Sequence, residues 1–132
     1  IITIDVDAMP DMPLHKRIKY LMGSSTSEEI LSKVKEMIKD KKRVMVILDS
    51  DHSCDHVYKE LELYHGFVTQ GQYLVVEDSN INGHPVYSGF GQGPGPWEAM
   101  EKFLPAHPEF EADMSKEKFL MSFNPNGYLK RK

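Results

Sequence analysis

Val44-Met45-Val46-Ile47-Leu48 runs directly into Asp49-Ser50-Asp51-His52. A second apolar run, Tyr73-Leu74-Val75-Val76, ends the same way, in Glu77-Asp78-Ser79-Asn80. Both runs are too short for helices and rich in β-branched residues, so they read as buried parallel strands. In an open α/β sheet, ligands bind beyond the carboxyl ends of the strands. Neighbouring strands that deliver Asp49, Asp51, Glu77 and Asp78 to that edge crowd negative charge. Such crowding calls for a cation, a shared proton or an escape into water. A divalent ion held by oxygen ligands is the leading reading, with Asp49, Glu77 and Asp78 as the stronger set and magnesium or manganese as suitable hard cations. The plainer reading is capping. Asp49 or Ser50 could cap the next helix, and Asp78 could make a local turn. Capping explains one acid more readily than two clusters.

Outward from these strands, the spacing predicts strand, helix, strand, helix, strand, long loop, helix and hairpin. Ile1 to Val6 forms the first strand, and a short strand around Ile18 to Met22 ends at Gly23. Ser25 and Thr26 precede Glu28 and Glu29 by three residues, a doubled capping-box signature. The helix that follows carries Ile30, Val34, Met37 and Ile38 on one face. A second helix runs from about Cys54 to His65, with Val57, Leu61 and Tyr64 in register. Ser79 to Gly95 is loop, with a lid-like Gly89–Gly95 stretch. Pro96 opens a third helix. Phe119–Phe123 and the residues from Tyr128 flank Asn124-Pro125-Asn126-Gly127, a hairpin turn sequence. The alternation implies one doubly wound α/β domain with a closing antiparallel hairpin.

The bulk numbers narrow the function classes. The length of 132 residues fits one domain, and 40% apolar with 27% charged residues is ordinary for a soluble protein. A net charge of −4 argues against a general nucleic-acid or anionic-membrane binder. The single Cys54 excludes an intramolecular disulfide and favours a cytoplasmic setting. No apolar run reaches membrane-spanning length. A small-molecule substrate is the expected partner.

His52 stands beside the acids and suits a general base, since its free pKa lies near neutrality. Its plainer role is a polar residue where a helix begins. His52 and His56 are four apart, but Ser53 occupies the position where a zinc-protease helix needs Glu. Asn80, Asn82 and His84 could line a substrate pocket or simply make turns. Asp5, at the end of the first strand, suits a ribose contact or a solvated loop.

Several motifs carry a resemblance. Leu48-Asp49-Ser50-Asp51-His52-Ser53, Val76 through Pro85, Gly93-Pro94-Gly95-Pro96-Trp97-Glu98-Ala99 and Phe119 through Leu129 are similar to the cephalosporin hydroxylase and rhamnosyl O-methyltransferase family. The resemblance covers nearly the whole chain. It implies a Rossmann-like class I methyltransferase fold, S-adenosylmethionine as cofactor and a Mg2+ site. The layout also resembles metal-dependent catechol and caffeoyl-CoA O-methyltransferases. From that likeness Asp5 would hold the cofactor ribose, and Gly23, Ser24 and Ser25 would contact its adenine. Asp49 would be the first metal ligand, with Asp51 as an alternate. An acid-plus-amide pair ends the fifth strand in those enzymes, where this chain has Glu77-Asp78. A lysine serves as base there, at the position of His52.

The resemblance further implies a first strand and Gly-rich turn ahead of Ile1, so the chain is expected to be the C-terminal portion of a methyltransferase domain. Its open sheet edge could pair with a second copy, a route to a homo-oligomer. Methyl transfer is the favoured activity. A degenerate sugar- or protein-binding member and a metal-dependent hydrolase or hydroxylase using the same acids are the rival readings.

Overall fold

A computed structural model of the chain describes residues 1–7, 11–84, 93–118 and 122–132. They form two compact units, Ile1–Lys41 and Lys42–Lys132.

In the first unit, strand β1 (Ile2–Asp5) pairs in parallel with β2 (Lys19–Met22), Ile2 opposite Lys19 and Asp5 opposite Met22. Gly23 leaves β2 at φ +144°, and its N–H donates to the Asp5 carbonyl at 2.8 Å. That backbone region suits glycine, and a Cβ there would also press on the Ile30 side chain at 3.1 Å. Helix α1 (Glu28–Ile38) buries Ile30 and Val34 on the expected face. Its cap is Ser27, rather than Ser25 or Thr26. The Ser27 side-chain oxygen accepts from the Ile30 N–H at 3.3 Å. Ser24 and Thr26 are already used in the preceding turn, where Ser24 Oγ accepts from the Thr26 N–H and the Ser24 carbonyl from the Ser27 N–H. Glu28 and Glu29 therefore fall in the first turn, where the helix dipole favours acids.

The second unit holds helices α2 (Cys54–Tyr64) and α3 (Pro96–Phe103) and a sheet of four strands. These are β3 (Val46–Leu48), β4 (Tyr73–Val76), β5 (Phe110–Ala112) and β6 (Tyr128–Arg131), in the order β3-β4-β6-β5. β3 and β4 are parallel neighbours, with Leu48 opposite Val76 and the Glu77 N–H donating to the Leu48 carbonyl at 2.9 Å. The two acid-tipped strands thus end side by side, as their sequences imply. Val57, Leu61 and Tyr64 of α2, and Ala99, Met100 and Phe103 of α3, are buried. Leu61, Leu74, Phe103 and Leu129 are among the most deeply buried side chains, and each such side chain contributes about 1.5–3 kcal/mol.

The sheet closes antiparallel, because β6 runs against both β4 and β5. The described partner of β6 on that side is Phe110–Ala112, rather than the Phe119–Phe123 arm expected from the turn. Phe119, Leu120 and Met121 lie outside the described residues, as do residues 85–92 of the long loop and most of its Gly89–Gly95 stretch. The turn itself forms. The Gly127 N–H donates to the Asn124 carbonyl at 2.9 Å, and Asn126 has φ +57° after Pro125, the pattern of a type II turn.

Candidate metal centre

Each strand end sorts its acids differently. Beyond β3, Asp51 Oδ1 accepts from the Ser53 N–H at 2.7 Å, which fixes the start of α2. The Ser53 hydroxyl, and then its N–H, hold the Asp51 carboxyl below the usual range. Ser50 Oγ donates to Glu60 Oε1 at 2.9 Å, and Glu60 is a buried residue of α2. Asp49 makes neither kind of bond. Its Oδ1 lies 3.7 Å from His52 Nε2.

Beyond β4, Glu77 Oε2 accepts from Asn124 Nδ2 at 2.9 Å, and the Asp78 N–H donates to Asn124 Oδ1 at 2.8 Å. One buried amide thus clamps both residues. Asp78 adopts φ +50°, an uncommon conformation for a residue with a side chain. That turn swings its Oδ2 to 3.4 Å from His52 Nε2. Gly127 keeps the clamp in place. Its carbonyl accepts from the Val76 N–H at 2.8 Å, and a Cβ on it would stand 2.3 Å from the Val76 carbonyl oxygen.

Ligand atoms of Asp49, His52 and Asp78 therefore converge within 4.8 Å of one another. Neither Asp51 nor the Glu77 carboxylate belongs to that group. His52 Nε2 is buried with no hydrogen-bond partner among the described residues, although two carboxylates face it. At 3.7 and 3.4 Å, both carboxylates stand beyond the about 2.7–2.9 Å of a charge-assisted hydrogen bond to His52. The carboxylates of Asp49 and Asp78 are hard oxygen donors that suit a divalent ion, and the buried His52 Nε2 stands beside them.

The remaining expected residues of this unit flank the cluster in sequence. The side-chain oxygens of Asn80 and Asn82 are buried without hydrogen-bond partners among the described residues, and Asn82 has φ +60°. His84 is committed elsewhere: its Nε2 lies 2.7 Å from Glu98 Oε1, and its ring stacks on Trp97 at 4.9 Å. Glu98 also accepts from the Gly95 N–H at 2.7 Å, capping α3. Burial would raise the Glu98 pKa, but the Gly95 N–H and His84 outweigh it and lower the carboxyl. An open cleft of about 460 Å³ beside Glu77 and Asn124 is lined by Lys116, Lys118, Phe123 and Tyr128.

In the first unit, Asp5 Oδ1 accepts from the Asp7 N–H at 3.0 Å. Asp5 and Gly23 meet through their backbones, and Ser24 and Ser25 continue the turn into α1. A small cavity of about 100 Å³ borders Asp5.

Sequence reasoning missed Asn124. It was legible only as the first residue of a turn, because its partners lie 46 and 47 positions away. The resemblance held a faint signal, since it implies an amide beside the acid of the fifth strand. Here that amide arrives from the turn before β6.

The family described as Rhamnosyl O-methyltransferase/CmcI matches residues 1–132. The chain is 42% identical over 117 residues to a "Rhamnosyl O-methyltransferase" of Mycobacterium tuberculosis (strain ATCC 25618 / H37Rv), covering 86% of this chain and 47% of that protein. It is 41% identical over 118 residues to a protein of the same name from Mycobacterium leprae (strain TN), covering 87% and 51%. The chain thus spans about half the length of the curated relatives it matches. No solved structure matches significantly. Among the described residues, no helix is long and apolar enough to cross a membrane. The chain belongs to the rhamnosyl O-methyltransferase/CmcI family, and its mixed α/β architecture is consistent with that family's Rossmann-like class I methyltransferase fold.

Proposed function

We propose that this chain carries the metal-binding part of an S-adenosylmethionine-dependent O-methyltransferase acting on a small hydroxylated or sugar-type substrate. The observation that carries the reading is the convergence of Asp49, His52 and Asp78 beyond two paired parallel strands, in a chain of this family. The relatives are named for a rhamnosyl acceptor, which makes a deoxysugar hydroxyl the first acceptor class to try.

In this reading Asp49 and Asp78 hold a divalent cation, with Mg2+ first in line. Glu77, fixed by Asn124, adds charge beside them. The bound ion would supply Lewis-acid chemistry that lowers the pKa of a hydroxyl. His52 receives the hydroxyl proton at Nε2, the buried nitrogen that has no hydrogen-bond partner among the described residues. Asn80 and Asn82 offer to substrate hydroxyls their amide oxygens, which have no partner among the described residues. Asp5, Gly23, Ser24 and Ser25 would hold the ribose and adenine of S-adenosylmethionine, which supplies the methyl group. Orienting acceptor and donor contributes much of the rate.

Calorimetry on the full-length protein with S-adenosylmethionine, with and without Mg2+, tests the reading. Saturable binding is expected, followed by Mg2+-dependent methyl transfer to a rhamnoside that Asp78→Asn abolishes. Absence of cofactor binding under both conditions would overturn the methyltransferase reading.

A further inference from the structure

A second cluster lies on the second unit, between the end of α2 and the start of β5. A nitrogen from each of His65 and His107 and a carboxylate oxygen of Glu109 lie within 4.8 Å of one another. His65 follows the last residue of α2, while His107 and Glu109 sit in the tight turn between α3 and β5. That turn is held by backbone bonds: the His107 N–H donates to the Leu104 carbonyl at 3.2 Å, and the Phe110 N–H to the His107 carbonyl at 2.9 Å.

Each imidazole has one nitrogen engaged by an outer acceptor. His65 Nδ1 lies 3.2 Å from the Leu61 carbonyl oxygen, an acceptor only, so that nitrogen carries the proton. His107 Nε2 lies 3.0 Å from Glu62 Oε1, a carboxylate–histidine pair. Acceptors of these two types, backbone carbonyl and carboxylate, fix the tautomer and orientation of metal-ligating histidines. With the ring protons held by these outer acceptors, His65 Nε2 and His107 Nδ1 are the nitrogens left to ligate. His107 Nδ1 stands 3.4 Å from Glu109 Oε1, long for a charge-assisted bond of about 2.7–2.9 Å but near the spacing of two ligands on one tetrahedral ion. The two imidazole centroids are 4.3 Å apart. Phe103 stacks on His107 at 4.0 Å, and Phe110 meets His65 edge-on at 6.5 Å, giving the cluster an apolar wall.

We propose that His65, His107 and Glu109 form a zinc site, with His65 ligating through Nε2, His107 through Nδ1 and Glu62 orienting His107 from outside. Two imidazoles and a carboxylate are a ligand set that suits Zn2+ and leaves a fourth position for water. The site would tie the end of α2 to the turn before β5, and it is independent of the methyl-transfer reading.

The test titrates Zn2+ alone into metal-free full-length protein carrying Asp49→Asn and Asp78→Asn, so that the first cluster has lost both carboxylates. One bound equivalent is expected, and adding His65→Gln should weaken it at least about tenfold with the circular dichroism spectrum unchanged. A folded background that binds no Zn2+, or an affinity unmoved by His65→Gln, would overturn the proposal. Because a multiple variant can lose its fold, the wild type is followed in parallel by imidazole nitrogen NMR. Two equivalents of Zn2+ should move His65 Nε2 and His107 Nδ1, and resonances of both that stay in place would equally overturn the site.

Discussion

At the end of β3, Asp49 faces His52 while Asp51 turns back onto Ser53, two residues along the chain. At the end of β4, Asp78 faces His52 while Glu77 turns onto Asn124, 47 residues away. Both strand ends thus give one acid to the cluster and commit the other to structure. They differ in reach. The β3 end is built from its own helix start and from α2. The β4 end depends on a turn that arrives only when β6 docks. A local device of this kind survives loss of distant packing, whereas a long-range clamp fails with it.

The strongest way to break the comparison is Gly127→Ala. Its Cβ would meet the Val76 carbonyl at 2.3 Å, backbone against side chain with no flexible neighbour to yield. Urea denaturation should show a loss of about 3 kcal/mol, at the upper end of overpacking costs. The amide resonance of Asp78 should move while that of Ser53 stays.

Next comes Asn124→Ala. It leaves Glu77 Oε2 and the Asp78 N–H without their partner, for a cost of about 2 kcal/mol. Denaturation measures the stability, and Mg2+ affinity should fall with it because Asp78 loses its backbone anchor. Asp51→Ala is the matched change on the other arm. It should cost about 1 kcal/mol or less, the range for a helix-start acceptor, and leave Mg2+ affinity unchanged.

The smallest effect is expected at the far end of β4, where Tyr73 donates to Asp113 at 2.6 Å and Ser115 to the same carboxylate. The Ser115 hydroxyl and then the Tyr73 hydroxyl hold the Asp113 pKa down at about 2. A lowered carboxyl adds stability above its ordinary pKa and loses it as pH falls through the folded value. Asp113→Asn should therefore lower the Tm at pH 7, and the gap to the wild type should close as pH drops from about 4 to 2. A gap that persists at pH 2 would assign the effect to packing.

The difference in reach also explains what the sequence could reveal. β-branched runs with acids at their ends announced two paired parallel strands, because strand length and composition are local properties; the expected burial holds for β4, whereas Ile47 of β3 is exposed. The α2 and α3 faces were legible from apolar spacing, and Pro96 marked its helix start. The α1 cap was displaced to Ser27, because Ser24 and Thr26 bond to each other in the turn, a competition that spacing alone does not decide. Asn124 was hidden because its chemistry appears only when residues 77 and 124 meet. Whether Asp49 or Asp51 joins the cluster was likewise open until the Ser53 N–H claimed Asp51.

Mg2+ binding to the full-length protein, measured by calorimetry across four single variants, tests this division of acids most directly. Asp49→Asn and Asp78→Asn should each weaken binding by at least about tenfold, about 1.4 kcal/mol. Asp51→Asn and Glu77→Gln should stay within about threefold of the wild type, about 0.7 kcal/mol. Equal losses in all four variants, or losses confined to Asp51→Asn and Glu77→Gln, would contradict a centre built on Asp49 and Asp78.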